Sequence, residues 1–403
     1  MKLYLLSATA LCAAASAPSV SAQELPGTLL LDVRARYEHV EQAGKDDAEA
    51  ATVRTRLGWQ SPERNGFSVL AEIENVADLT DGLRNTSQTS RPGVATINDE
   101  AMTELQRLEL RFAPNDQWSG SLGRQHLGFD GSRFIGTPGW RQDKNSHDAL
   151  ALQFENGPVT LDYVYHWQLN RGPGDLSWDT DAHLFHAGWA ATENVTVSGF
   201  AYLIDLTDSS APQNRSNSTV GAEISGTRSY GETALAYSAM IAQQSDYGSA
   251  QTDFDLTFYS GEASVSRFGG SLAAGYVNIE GDGSTSIANP LAANHSFQGW
   301  ADTFSGGSAM AGPDGLEDLY FEAAYGGDLN SAVFTGWSVF LARHEFSAER
   351  TGVDLGEEWD FELALGLGEH AELAFQIADY DGPGGAVAPA DRTKQWVVLS
   401  YKY

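Results

Sequence analysis

The residues of this chain whose types and spacing carry chemistry are arginines set two apart. Arg34 and Arg36 make one pair and Arg54 and Arg56 a second, while Arg107 and Arg111 stand four apart. Acids follow the same rhythm: Asp32 and Glu38 flank the first pair, Glu72 and Glu74 form their own, and Glu109 lies between the last two arginines. A period of two is the repeat of a β-strand, so each set shares one face of its strand. Guanidinium groups gathered on one face attract carboxylates and other anions. They can equally pair with acids on neighbouring strands. The sequence leaves both open: a selective basic wall, or cross-strand ion pairs.

Other chemistries lack their residues. There is no G-x-S-x-G elbow, no H-E-x-x-H and no P-loop. His147-Asp148 and the pair His183 and His186 have no evident nucleophile beside them, so no enzyme, metal or cofactor is expected. The net charge is −30, from 54 acidic and 24 basic residues, which excludes nucleic acid as a partner because phosphate binding needs a basic surface. That charge is unevenly spread: residues 23–150 carry −6 and residues 151–403 carry −25.

The elements that position these groups are strands. Residues 1–22 read as a secretory signal peptide: a cationic start, an apolar stretch from Leu3, and Val20-Ser21-Ala22 before the cleavage point. The lone Cys12 lies inside it, so residues 23–403 hold no disulfide. No later run reaches the 18 or so apolar residues of a membrane helix. Period-two alternation instead recurs in eighteen segments: 28–40, 50–61, 66–78, 102–114, 117–127, 146–156, 158–168, 181–191, 194–206, 217–226, 231–245, 252–265, 268–280, 317–326, 334–347, 357–367, 371–381 and 393–403. Their connections alternate between tight turns, as at 61–66, 156–158 and 368–371, and long polar loops, the longest at 79–101, 128–145 and 281–316.

Short periplasmic turns, long external loops and an even strand number are the pattern of a transmembrane antiparallel up-and-down β-barrel in the bacterial outer membrane, both termini periplasmic. Closure pairs every backbone N–H and C=O, as hydrocarbon requires. Apolar rows such as Leu161/Tyr163/Tyr165/Trp167 and Trp359/Phe361/Leu363/Leu365 then face lipid. By the same parity Arg34, Arg36, Arg54, Arg56, Arg107, Arg111, Glu72, Glu74 and Glu109 face the lumen. Arg124 is ambiguous by parity, since it shares a face with Leu122. The expected lumen has a transverse field, positive on strands one to five and negative elsewhere. The remaining acids belong to loops, where they are solvated or hold divalent cations at a lipopolysaccharide surface. The last segment ends on Tyr403, an aromatic end of the type read by the outer-membrane assembly machinery.

Gly123-Arg124-Gln125, then Arg133-Phe134-Ile135-Gly136, Trp140-Arg141-Gln142 and Asp148, form a compact block, echoed by His295-Ser296-Phe297-Gln298-Gly299-Trp300-Ala301-Asp302. This block resembles the outer-membrane alginate export porin family. The resemblance implies a monomeric 18-stranded barrel passing an anionic polysaccharide, oligosaccharide or small anionic solute through a constriction lined by arginines. It makes Arg124, Arg133 and Arg141 luminal. The alternative is a general or nutrient-uptake porin for other substrates, and, further off, a β-barrel enzyme.

Overall fold

A computed structural model of the protein describes residues 26–80, 82–171, 177–208, 211–212, 215–304, 312–329, 331–384 and 388–403. The signal peptide expected over 1–22 lies outside the described residues. The first six strands are β1 (Thr28–Gln42), β2 (Ala48–Gln60), β3 (Phe67–Asp78), β4 (Met102–Asn115), β5 (Trp118–Gln125) and β6 (Ser146–Asn156). There follow β7 (Val159–Asn170), β8 (Trp178–Thr192), β9 (Val195–Leu206), β10 (Asn217–Tyr230), β11 (Thr233–Asp246) and β12 (Asp255–Arg267). The last six are β13 (Gly270–Ile279), β14 (Leu316–Asp328), β15 (Phe334–Ser347), β16 (Asp354–Leu367), β17 (Ala371–Asp381) and β18 (Arg392–Lys402). Each pairs antiparallel with the next, and β1 pairs with β18 from Asp32 opposite Lys402 to Gln42 opposite Arg392. The sheet is therefore a closed 18-stranded antiparallel barrel. Among the described residues the helical structure comprises the 3₁₀ turns Asp130–Ser132 and Asn294–Ser296.

The alternation in sequence is the alternation in space. Leu57, Ile73, Leu108, Leu122, Leu161 and Phe185 are exposed on the outer face, while Arg54, Arg56, Glu72, Glu74 and Glu109 are buried inside. Tight turns follow from local chemistry. Asn65 and Gly66 both have positive φ, the geometry of a two-residue hairpin turn that keeps the strand twist. A side chain on Gly66 would meet the Ala113 carbonyl oxygen at 2.7 Å. One bulge alters the parity. Glu72 pairs Arg107 but Ile73 pairs Leu105, so Gln106 is an extra residue and turns inward together with Arg107.

The lumen holds a core of its own. Phe134 and Ile135 from the β5–β6 loop, with Ile287, Leu291, Ala301 and Phe304 from the β13–β14 loop, pack on inward residues such as Leu184, Phe200, Phe258 and Trp396. Each of the Phe, Ile and Leu side chains contributes about 1.5–3 kcal/mol on full burial, which favours folding both loops into the barrel. The β3–β4 loop does the same on a smaller scale, with Val94, Ala95 and Ile97 against Val40, Ala48 and Ala50.

Candidate functional site

The arginines on the early strands face inward and are engaged there. Arg34 points from β1 at the β5–β6 loop. Its Nη1 donates to the Gly139 carbonyl at 3.0 Å, Nη2 to Trp140 at 2.8 Å and Arg141 at 2.5 Å, and Nε to Gln142 Oε1 at 2.9 Å. Arg36 donates to the Trp140 carbonyl at 2.6 Å and forms an ion pair with Asp99. Arg54 pairs with Asp32 and Arg56 with Glu74. Arg107 meets Glu72 at 2.9 Å and Arg111 meets Glu109 at 2.8 Å. Of the two readings left open by the sequence, the geometry is that of ion pairs and loop anchors. Burial works against the Asp99 carboxyl being charged, yet Arg36 and Arg141 outweigh it and hold its pKa at about 2.

The loop arginines differ from one another. Arg141 bridges Glu38 at 2.9 Å and Asp302 at 3.5 Å, tying the two infolded loops to β1. Asp302 also takes Lys394 of β18 and His295, at 2.6 Å each. Arg133 forms no ion pair among the described residues; its guanidinium lies 3.6 Å from the Phe297 ring centroid and donates to Gln298 Oε1 at 3.3 Å. Burial brings its pKa down to about 10, so it stays charged. Arg124 is not luminal. It sits opposite the exposed Leu108 and opposite Asp148, with which it pairs at 2.8 Å on the outer face. Simple alternation from Leu122 carries through to this residue, against the placement implied by the family block.

Beside the loops the lumen opens into a cavity of about 250 Å³ along β10–β16. Its carboxylates are Asp130, Glu223, Glu262, Asp318, Glu322 and Asp360, and its one arginine is Arg133. Asp130 is held by His186 at 3.0 Å and the Ser198 hydroxyl at 2.9 Å, and Asp318 by His344 at 2.9 Å. Asp360 accepts the Trp300 backbone N–H at 3.3 Å, and Glu262 accepts the Tyr320 hydroxyl at 2.6 Å. A second space of about 530 Å³ lies under the β5–β6 loop, with Glu109, Arg111 and Asp162 on its wall. The sequence reading placed an acidic region opposite the arginines but named none of Glu223, Glu262 or Glu322. Their parity opposite Ile224, Ala263 and Phe321 was the available signal.

One group among the described residues, Glu74, Glu104 and Asp143, has carboxylate oxygens within 4.8 Å of one another. Arg56 and the Lys144 backbone N–H already hold Glu74. Burial first, then Glu104 and Glu74, push the Asp143 carboxyl up to about 8. Burial with Arg56 and Arg107 brings Lys144 down to about 8.

No family model matches the chain, and no curated protein does. Solved structures do. Pseudomonas aeruginosa OccK5 (OpdH) matches at 13% identity with a TM-score of 0.69, over 94% of this chain and 98% of its own. Acinetobacter baumannii OccAB2 matches at 13% and 0.71, over 93% and 98%. Pseudomonas aeruginosa OpdK with vanillate matches at 11% and 0.67, over 93% and 98%. The fold is that of an outer-membrane porin. At these identities the likeness is one of fold. It corrects the resemblance drawn from the motifs, because the barrels matched are Occ and Opd substrate-specific porins and not alginate exporters. The motif block has a structural use in this porin fold: Arg34 grips Gly139 to Gln142, Ile135 is fully buried, and the Gly136 carbonyl accepts from His147 at 3.1 Å. Those residues pack a loop.

Proposed function

We propose that this chain is a bacterial outer-membrane porin admitting small polar nutrients by passive diffusion. The carrying observation is the pair of infolded loops, 126–145 and 280–304, which leave about 250 Å³ beside the acidic wall. That volume, like the roughly 530 Å³ under the β5–β6 loop, is of the size of a small-molecule site. Passage of anionic saccharides through an arginine-lined constriction loses its basis, since those arginines are paired or hold the loop. A barrel of similar fold described with vanillate supports a small organic solute. Six carboxylates against one arginine favour cations over chloride in the lumen.

In this reading the outward apolar rows meet lipid and lipopolysaccharide, both termini are periplasmic, and the barrel works as a monomer without cofactor or catalysis. The strand ending at Tyr403 is offered to the barrel assembly machinery. Purified protein in planar bilayers is expected to conduct, with K⁺ preferred to Cl⁻ in a salt gradient. Liposomes containing it should swell in small sugars and amino acids but not in oligouronates. Chloride preference, or current block by oligouronates, would sink the reading.

A further inference from the structure

The cavity along β10–β16 has donors on one side and acceptors on the other. On the loop side a guanidinium carries five N–H donors, and Arg133 places one of them on Gln298 Oε1 at 3.3 Å. Gln298 is 2% exposed, and its Nε2 has no acceptor among the described residues. A buried amide donor is costly to leave unmatched, so this side calls for an acceptor brought by the solute. Across the cavity Glu223 of β10 and Glu322 of β14 have neither hydrogen bond nor ion pair among the described residues, and Glu262 of β12 lies between them in strand order. The rings of Tyr320, Phe340 and Trp300 line the same space, the last two stacked at 5.2 Å.

A simple anion fits the loop side and is repelled by the wall; a simple cation does the reverse. We propose that the cavity recognises compact zwitterions. The carboxylate lies on Arg133 and the Gln298 amide, and an alkylated ammonium faces Glu262 and Glu322 against the aromatic rings. Carboxylates attract the charge while ring faces accept the methyl groups, which hydrated inorganic cations lack. The inference rests on the porin reading, because the solute must reach the lumen.

The test uses the full chain in planar bilayers with three probes of similar shape. Glycine betaine carries both charges, choline lacks the carboxylate, and 3,3-dimethylbutyrate lacks the positive charge. Conductance in KCl is measured first, and its absence overturns the porin reading together with this inference. With conductance present, betaine is expected to interrupt the current at roughly tenfold lower concentration than either analogue. Choline or dimethylbutyrate equalling betaine overturns the zwitterion site and leaves the porin reading standing. Arg133→Gln should bring betaine to the level of choline, and Glu262→Gln with Glu322→Gln to the level of dimethylbutyrate. The probe comparison on the unaltered chain decides the matter even where a variant fails to fold.

Discussion

The two walls of the barrel differ in how their charges are used: one pairs arginines with acids, the other leaves acids open to a cavity. On β1 and β2 the arginines are closed off: Arg36, Arg54 and Arg56 are 3%, 3% and 7% exposed, each bonded to an acid. On β10–β14, Glu223 and Glu322 stand open to the cavity with no partner among the described residues. A charge whose field is cancelled at contact distance by an opposite one has little reach, whereas an unpaired group in a narrow, water-filled space dominates it. The wall richer in arginine is therefore scaffolding, and under the proposed function the acidic wall would set what passes.

The largest effect should come from breaking the scaffold where it grips the loop. Arg34→Ala removes four hydrogen bonds to residues 139–142. The expected outcome is a destabilisation of about 3 kcal/mol in thermal unfolding, with a clear rise in single-channel conductance as the loop leaves the wall. Unchanged conductance would mean that the loop stays in place by its apolar packing alone.

Arg54→Ala comes next and separates the two walls most sharply. It leaves Asp32 with Arg56 alone, 3.9 Å away, so stability should fall by about 1–3 kcal/mol, while the reversal potential in a KCl gradient barely moves. Glu322→Gln should do the opposite: little loss of stability and a measurable drop in K⁺ over Cl⁻ preference. If Arg54→Ala changed selectivity more than Glu322→Gln, the assignment of roles would be reversed.

A smaller effect is set by pH. The Asp143 carboxyl titrates near 8 in the folded chain, against about 3.9 when unfolded. Between those values the folded protein holds a proton that the unfolded chain has lost. Its contribution is thus full below about 4 and declines as pH rises toward 8. Melting temperatures measured across that range should fall less steeply for Asp143→Asn than for the parent chain. The least change in conductance should come from Arg124→Ala, whose ion pair with Asp148 lies on the outer face, away from the lumen.

The barrel was legible because a two-residue period leaves little freedom. The bounds expected for 146–156, 334–347 and 371–381 are those of β6, β15 and β17, and all eighteen segments are strands. Parity also gives the faces of Arg34, Arg54 and Glu74, whereas Arg124 is ambiguous by parity and the luminal place implied by the motif block is not the one it takes. The bulge at Gln106 was hidden, since an extra residue leaves no mark in a run such as Glu104-Leu105-Gln106-Arg107. The infolding of residues 126–145 was hidden for a different reason. Phe134 and Ile135 follow no period, and nothing local says whether an apolar pair in a loop meets lipid, water or the inside of a barrel. With the loop unplaced, neither the anchoring role of Arg34 nor the isolation of Arg133 could be read.

The core inside the barrel has a consequence for the route itself. Phe134, Ile135, Leu291 and Phe304 share one core with inward residues such as Leu184, Phe258, Phe346 and Trp396, so the interior is divided into polar spaces between the infolded loops and the wall. Under the proposed function a solute would pass off-centre, and in the cavity along β10–β16 it would meet strand residues on one flank and Arg133 and Gln298 of the loops on the other.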